Sequence, residues 1–327
     1  MSSLRPIIER FKGKRVVVFG DLVADVFVYG EISRISREAP VLVLDHRETQ
    51  VVPGGGANAI HNLWALGAEP VPVGIVGDDA EGQTLLEYFS KLGIELSGIR
   101  VAKSYRTPTK MRVLAGAVHS QRQQIVRLDS GGPIQEDRSR NGIEQKLKLA
   151  LTDADALLVS DYGYALVTPQ IVSRIRRNSI PATIDSRFSM MNYSKMTAAT
   201  PNEPEVEAAL GASIGNDAKK LEWAGRTLLR KLKHEAVLIT RGKDGMALFE
   251  RGKKTMHIPI YGSDEIADVT GAGDTVIATF TLALAAGANY YDAARLANYA
   301  GGVVVMKYGT RPITYKELME AVEDNKE

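Results

Sequence analysis

The sequence predicts an α/β fold, a doubly wound and mainly parallel sheet with helices on both faces and a small β-sheet lid. Three observations carry that reading. Short runs rich in β-branched residues at Arg15–Phe19 (RVVVF), Val71–Val76, Ala156–Val159 and Ala236–Ile239 have the length and apolarity of strands buried on both sides. Segments of helical period separate them, and strand–helix alternation of this kind builds parallel βαβ units. Two stretches, from about 25 to 50 and from about 98 to 129, break the alternation, being strand-rich without a helix signal.

The helical period places helices at Ala57–Leu66, Ala80–Leu92, Gly142–Leu151, Thr168–Arg177, Asp217–Lys233, Gly271–Ala286 and Asp292–Lys307. In the second strand-rich stretch, "VLAGAVHSQRQQIVRLD" reads as a hairpin turning near Ala117–Gln121. The two stretches suit a small sheet over the mouth of the main one, where doubly wound folds bind ligands. Plain edge strands fit the same pattern. Neither linker, repeat nor low-complexity tract divides the chain, so one domain spanning 1–327 is expected.

Composition narrows the function. With 44% hydrophobic and 24% charged residues among 327, the chain can bury a sizeable core. A formal net charge of +2 without a basic run gives no phosphate-backbone footprint, so no nucleic-acid partner is expected. The absence of cysteine removes disulfides, thiolate metal sites and cysteine nucleophiles together. Five scattered histidines form no HExxH or close pair, which argues against a histidine metal site. The start, MSSLRPIIERFKGKR, carries charges where a signal peptide needs an apolar core, and no apolar run reaches roughly 18 residues. A cytoplasmic location with no membrane partner follows as the expectation.

Four segments carry chemistry. In Asp268-Val-Thr270-Gly271-Ala272-Gly273-Asp274, small residues open an apolar helix. The first N–H groups of a helix lack internal partners and sit at the positive end of its dipole, so such a turn suits an anion. A carboxylate there repels phosphate, which makes sense if Asp274 takes a proton from a hydroxyl attacking phosphorus. Asp274 as a plain first-turn acid, stabilising the helix by about 0.3–1 kcal/mol, fits equally. Pro53-Gly54-Gly55-Gly56-Ala57-Asn58 precedes another helix; Asn58 suits sugar hydroxyls or serves as a helix cap. In Thr200-Pro-Asn202-Glu-Pro-Glu205, Asn202 and Glu205 suit a hydrated Mg²⁺ or a capping box. The fourth, Thr240-Arg-Gly242-Lys-Asp-Gly245, is by itself a turn between strands. Neither GxxxxGK[ST] nor the HRD and DFG of protein kinases occurs, and the first strand ends in Gly20-Asp21-Leu-Val-Ala-Asp25 rather than GxGxxG.

In this order the four segments resemble the ribokinase-type (PfkB) sugar kinases across essentially the whole chain. That resemblance implies a ribokinase-like ATP-dependent phosphotransferase with a β-sheet lid. It implies that Asp274 is the base for the acceptor hydroxyl and that the Gly271, Ala272 and Gly273 amides form the anion hole. Asn202 and Glu205 match the family's Asn-x-x-Glu element acting on Mg²⁺ through water; Thr240, Gly242 and Gly245 match its nucleotide loop, and Asn298 falls beside the adenine. Asp268, Thr270 and Gly309 match positions around a monovalent cation such as K⁺ in some members. Asp21 and Asp25 match the acidic position for acceptor hydroxyls, beside Gly54, Gly55 and Asn58.

"SRISREAPVLVL" (33–44), "PGGGANAIHNLWALGA", "TKMRV", "QQIVRLD", "TPNEPE" and "KYGT" resemble one subgroup, the D-glycero-D-manno-heptose 7-phosphate kinases. The subgroup implies phosphorylation of the anomeric hydroxyl to a 1,7-bisphosphate for lipopolysaccharide heptose synthesis, and a homodimer packed through its lids. In its bifunctional form a nucleotidyltransferase domain follows; none is expected within this chain. Lys110, Arg112, Arg187 and Lys195 are the candidate cations for the acceptor's phosphate. Two departures bear on the acceptor. Asp185-Ser-Arg187 stands where the subgroup has Asp-Pro-Lys, and the hairpin through "AGAVHSQR" is longer. A kinase of another sugar or sugar phosphate, or a sugar-binding regulator without turnover, are the alternatives.

Overall fold

The computed structural model describes residues 4–116, 123–135, 140–177, 179–262 and 268–324. Its centre is strand β1 (Arg15–Gly20), a continuous apolar run that pairs in parallel with β4 (Glu69–Gly77) on one side and β8 (Ala156–Asp161) on the other. Alternation along β1 feeds two cores. Val16 and Val18 join the cluster that holds helices α2 (Gly56–Ala65), α8 (Ala272–Ala285) and α9 (Tyr290–Val304). Val17 and Phe19 join the opposite cluster, with α4 (Ile143–Ala150) and α5 (Pro169–Ile175). A strand whose two faces both meet helices has no polar side to spare, which is why these strands read as unbroken apolar runs.

The main sheet continues through β9 (Ala182–Ser186), the two-residue β10 (Ala198–Ala199) and β11 (Ala236–Thr240), all parallel. It ends in antiparallel β12 (Met246–Glu250) and β13 (Met256–Ile258), while β5 (Ile99–Ala102) closes the other edge, giving the nine-strand order β13-β12-β11-β10-β9-β8-β1-β4-β5. Chain order reverses at β1, and the crevice beyond the carboxyl ends of strands at such a reversal is where open α/β sheets bind ligands.

A second sheet has the order β3-β2-β6-β7, formed by β2 (Leu22–Ile35), β3 (Leu42–Gly55), β6 (Thr109–Gly116) and β7 (Gln123–Ser130). Only its β2–β6 pair is parallel. β2 starts one residue after β1, so its first half, Leu22–Phe27, is buried and its second half emerges into solvent.

The structure corrects several sequence expectations. The stretch at 98–129 is divided, because Ile99–Ala102 pairs with β4 at the edge of the main sheet and only β6 and β7 join the small one. The expected turn at Ala117–Gln121 lies outside the described residues. The helix expected from Asp292 begins at Tyr290, with the Asn289 side chain accepting the Asp292 N–H. Helices α1 (Arg5–Glu9), α6 (Glu203–Leu210) and α10 (Tyr315–Asp324) were not expected. The third is announced by Thr314-Tyr-Lys-Glu317, where Glu317 accepts the Thr314 N–H and Thr314 Oγ1 accepts the Glu317 N–H.

Candidate active site

Asp274 lies in the first turn of α8 and is 3% exposed. The turn before it requires glycine twice over. Gly271 caps the helix in the left-handed region at φ +79°, and a Cβ there would stand 2.6 Å from Nδ2 of Asn58. That close approach lets Asn58 donate to the Gly271 carbonyl at 3.2 Å and to Oδ2 of Asp274 at 3.1 Å. The other carboxylate oxygen accepts from the Tyr162 hydroxyl at 2.8 Å. Burial pushes the Asp274 carboxyl up to about 6, against the pull of Asn58, Tyr162 and the Lys110 ammonium.

Asn58 therefore does not cap its helix. It sits inside α2, whose cap is Gly55, and points inward. One turn on, Asn62 donates to the backbone and side-chain oxygens of Asn58 at 2.9 and 3.0 Å and accepts from Thr275 Oγ1 and the Ile313 N–H, both at 3.1 Å. This buried amide relay locks α2 to α8 with every member hydrogen-bonded.

Two cavities meet at this point. One, about 400 Å³, is walled by Asp25, Gly55, Lys110, Arg112, Tyr162, Asp185, Arg187 and Asp274. Arg112 and Asp25 form a buried pair at 2.7 Å, Asp25 also accepts from Thr310, and a Cβ on Gly54 would meet the Asp25 carboxylate at 2.6 Å. Arg127, a further lining residue, is held bidentate by Asp129 at 2.7 Å. The Lys110 ammonium lies 4.2 Å from the centre of the Tyr162 ring, and the Arg187 guanidinium 5.5 Å from that of Phe188. Neither Lys110 nor Arg187 has a carboxylate within ion-pair distance among the described residues. Burial and nearby acids push the Asp185 carboxyl well up, and burial raises that of Glu205.

The other cavity, about 480 Å³, is lined by Thr240, Gly242, Gly245, Ala272 and Asn298 against an apolar wall that includes Met246, Ile260, Val276 and Val305. Asn202, Thr240 and Val269 line both cavities, so the amino end of α8 stands at their junction. Asn202 and Glu205 form the capping box of α6, each accepting the other's N–H at 2.9 Å, while both still line the first cavity. Asn298 donates to the Pro259 carbonyl at 2.9 Å. The Asp268 carboxylate accepts from the N–H groups of Thr270 at 2.8 Å and Gly309 at 3.1 Å, bringing those three together. Of the Gly271, Ala272 and Gly273 amides, expected to form an anion hole, that of Ala272 makes a long bond to the Val269 carbonyl, 3.3 Å.

Six sequence candidates line neither cavity: Gly54, Asn58, Asp268 and Gly309, which lie close behind the walls, and Lys195 and Asp21. Lys195 is exposed in a left-handed turn whose N–H bonds the Leu232 carbonyl, and it lines neither cavity. Asp21 is buried behind the site and lines neither cavity; its Oδ2 accepts the N–H groups of Tyr162 at 2.8 Å and Tyr164 at 3.2 Å, and burial pushes its carboxyl to about 7. Conversely, Asp161 and Tyr162 line the polar cavity without having been singled out, and Arg127, Asp185 and Thr200, named only as parts of longer segments, line it too. Asp161 and Tyr162 stand at the end of β8 with no local pattern to mark them.

The family model described as "pfkB family carbohydrate kinase" matches residues 14–316. The chain belongs to that family. It is 37% identical over 327 residues to the bifunctional protein HldE of Pelobacter propionicus, covering 98% of this chain and 65% of that relative. With the bifunctional protein HldE of Geobacter sulfurreducens it shares 40% over 310 residues, covering 93% and 62%. The kinase thus spans less than two thirds of those relatives' lengths. A ribokinase structure from Arabidopsis thaliana, complexed with ribose and ATP, superposes with a TM-score of 0.73 at 21% identity, covering 95% of this chain and 99% of that one. The ribokinase-like fold is thereby shown. Among the described residues no helix is long and apolar enough to cross a membrane.

The raised Asp274 carboxyl carries a stability consequence. Its folded value, about 6 against an ordinary 3.8, means that ionisation disfavours the fold, with a penalty that grows as pH rises between those values and is complete above about 6. Asp274→Asn removes the charge and keeps the network satisfiable, since the Tyr162 hydroxyl can turn to accept from the new amide. At pH 8 the variant is expected to gain on the order of 1–3 kcal/mol, and the gain to shrink toward pH 5. Urea unfolding at both values measures it; a variant less stable than wild type at pH 8 contradicts the account.

Proposed function

We propose that this kinase transfers the γ-phosphoryl group of ATP to the anomeric hydroxyl of D-glycero-D-manno-heptose 7-phosphate, giving the 1,7-bisphosphate, in the cytoplasm where ATP is supplied. The observation that carries the reading is the position of Asp274, a buried carboxylate facing the polar cavity at its junction with the apolar one. The apolar cavity suits a planar base, with Thr240, Gly242, Gly245 and Asn298 around the nucleotide. The polar cavity takes the sugar. Asp25 and Gly55 face its hydroxyls, with Gly54 and Asn58 packed behind to hold Asp25 and Asp274 in place, and Lys110 and Arg187, which among the described residues make no carboxylate ion pair, take the acceptor's phosphate. The segment SRISREAP and the similarity to HldE proteins favour the heptose phosphate over other sugars.

In this reading Asp274 accepts the proton of the attacking hydroxyl as its oxygen reaches phosphorus. The positive end of α8, through the Gly271 and Gly273 amides and a reoriented Ala272 amide, stabilises the charge gathering on the transferred group. The oxygen donors of Asn202, Glu205 and Asp185, partly buried and with two carboxylates facing the single Arg187 guanidinium, would hold Mg²⁺. When bound, that ion neutralises the β- and γ-oxygens of the nucleotide. Asp268, Thr270 and Gly309 would hold a monovalent cation such as K⁺ beside the anion hole. The small sheet serves as the lid of a single kinase domain. Its exposed Val41, Leu42, Ile125, Val126 and Leu128 support a homodimer through the lids.

Three measurements test the proposal. Turnover is expected to vanish in excess EDTA and return with Mg²⁺; undiminished turnover contradicts the metal assignment. In a coupled assay, heptose 7-phosphate is expected to exceed ribose, fructose and fructose 6-phosphate in kcat/KM; if one of those wins by more than about tenfold, the acceptor is another sugar and the kinase assignment stands. Asp274→Asn is expected to lose about a hundred- to ten-thousand-fold in kcat with ATP affinity held, and retention of more than about a tenth would reduce Asp274 to a structural acid.

A further inference from the structure

A carboxylate that serves as a base must present a free lone pair in one direction and hold still while it does so. Asp274 offers about four lone-pair sites, and the structure occupies one on each oxygen, with Asn58 on Oδ2 and Tyr162 on Oδ1. Asn58 is fixed by Asn62 within its own helix. Tyr162 comes from another part of the molecule, immediately after β8, and is clamped separately. Its N–H is bound by Asp21, its ring lies beneath the Lys110 ammonium, and the ring packs so closely on Gly55 that a Cβ there would be 3.2 Å from two ring atoms. The hydroxyl of Tyr162 is thereby aimed at Oδ1.

We propose that Tyr162 is the positioning residue for Asp274, its hydroxyl orienting the carboxylate and holding it ionised, with Asp21 as the anchor that sets Tyr162 in place. The proposal rests on the reading of Asp274 as the base. It gives a role to the buried Asp21, which touches neither cavity. Burial, and then the charge of Asp274, push the Tyr162 hydroxyl well above its ordinary range, so it remains a donor throughout the working range of pH. The other charged groups facing Asp274 are Lys110 from β6, Asp25 from β2 and Asp185 from β9, with Arg112 paired to Asp25 and Arg187 near Asp185. Tyr162→Phe leaves all of them in place and keeps the ring under Lys110, removing one donor.

The experiment follows the Asp274 carboxyl directly in protein labelled with ¹³C-carboxyl aspartate, its resonance assigned by loss in Asp274→Asn. In Tyr162→Phe the Asp274 midpoint is expected to move up by roughly one to two pH units, the size of a hydrogen bond to a charged group. The acidic limb of kcat/KM is expected to move with it, while KM for ATP is held. Tyr164→Phe, on the same loop but with no hydroxyl bond to Asp274, controls for disturbance of the loop, and circular dichroism confirms folding of both. The proposal is overturned if the midpoint in Tyr162→Phe stays within about 0.3 unit of wild type. It is also overturned if Tyr164→Phe moves the midpoint equally, or if the midpoint moves and the limb does not. A failed base assignment is distinguishable, because Asp274→Asn then keeps its turnover whatever the resonance does in Tyr162→Phe.

Discussion

A carboxylate buried at the amino end of a helix has to be satisfied from outside that helix, and this molecule is arranged around meeting that need at Asp274. Its two donors come from α2 and from the loop after β8, elements separated by about a hundred residues of chain. Neither donor is cationic, so the carboxylate is held without being neutralised. The Lys110 ammonium nearby is itself buried, and the loss of water lowers that ammonium's proton affinity while the acids around it raise it. The result is an acid poised about two units above its ordinary value, close to where a general base works best.

The rest of the fold supplies the rigidity this arrangement needs. The Asn58–Asn62–Thr275 relay joins the two helices whose amino ends face the cavities, and it extends to the backbone at Ile313. Such a network is stable only when complete, because an unpaired amide at that depth would cost about 1–3 kcal/mol. The relay is therefore as much a constraint on sequence as the cavities it borders.

How much of this the sequence disclosed follows from distance along the chain. Gly271 to Asp274 and Gly54 to Asn58 are consecutive residues, so their small side chains and lone polar groups form a pattern that can be read locally. The segment Thr240–Gly245 was readable for the same reason, but only as a turn between strands. Tyr162, Asp185 and Thr200 are single residues near the carboxyl ends of β8, β9 and β10, and only the lateral order of the sheet makes them neighbours. Lys195 shows the opposite error: a basic residue near this region of sequence looks suitable until the turn places its backbone against Leu232. Asn58 as a cap failed because Gly55 already starts the helix, leaving Asn58 in its first turn and free to face inward. The stretch from about 25 to 50 was read as strand-rich, yet its extent was underestimated because β2 begins where β1 ends, with no turn signal between.

That direct continuation of β1 into β2 has a mechanical meaning. The root of the small sheet is clamped, with Leu22–Phe27 buried, Asp25 fastened to both Arg112 and Thr310, and β2 zipped to β6 across the same residues. Beyond Tyr29 the pairing with β3 is broken by two register shifts, and the strands run on in solvent. The sheet is thus a cantilever, stiff at its base and compliant toward its tip. Bending falls most readily past the first irregularity, where the pairing is broken and the side chains are exposed, and it leaves Asp25 and its partners in place.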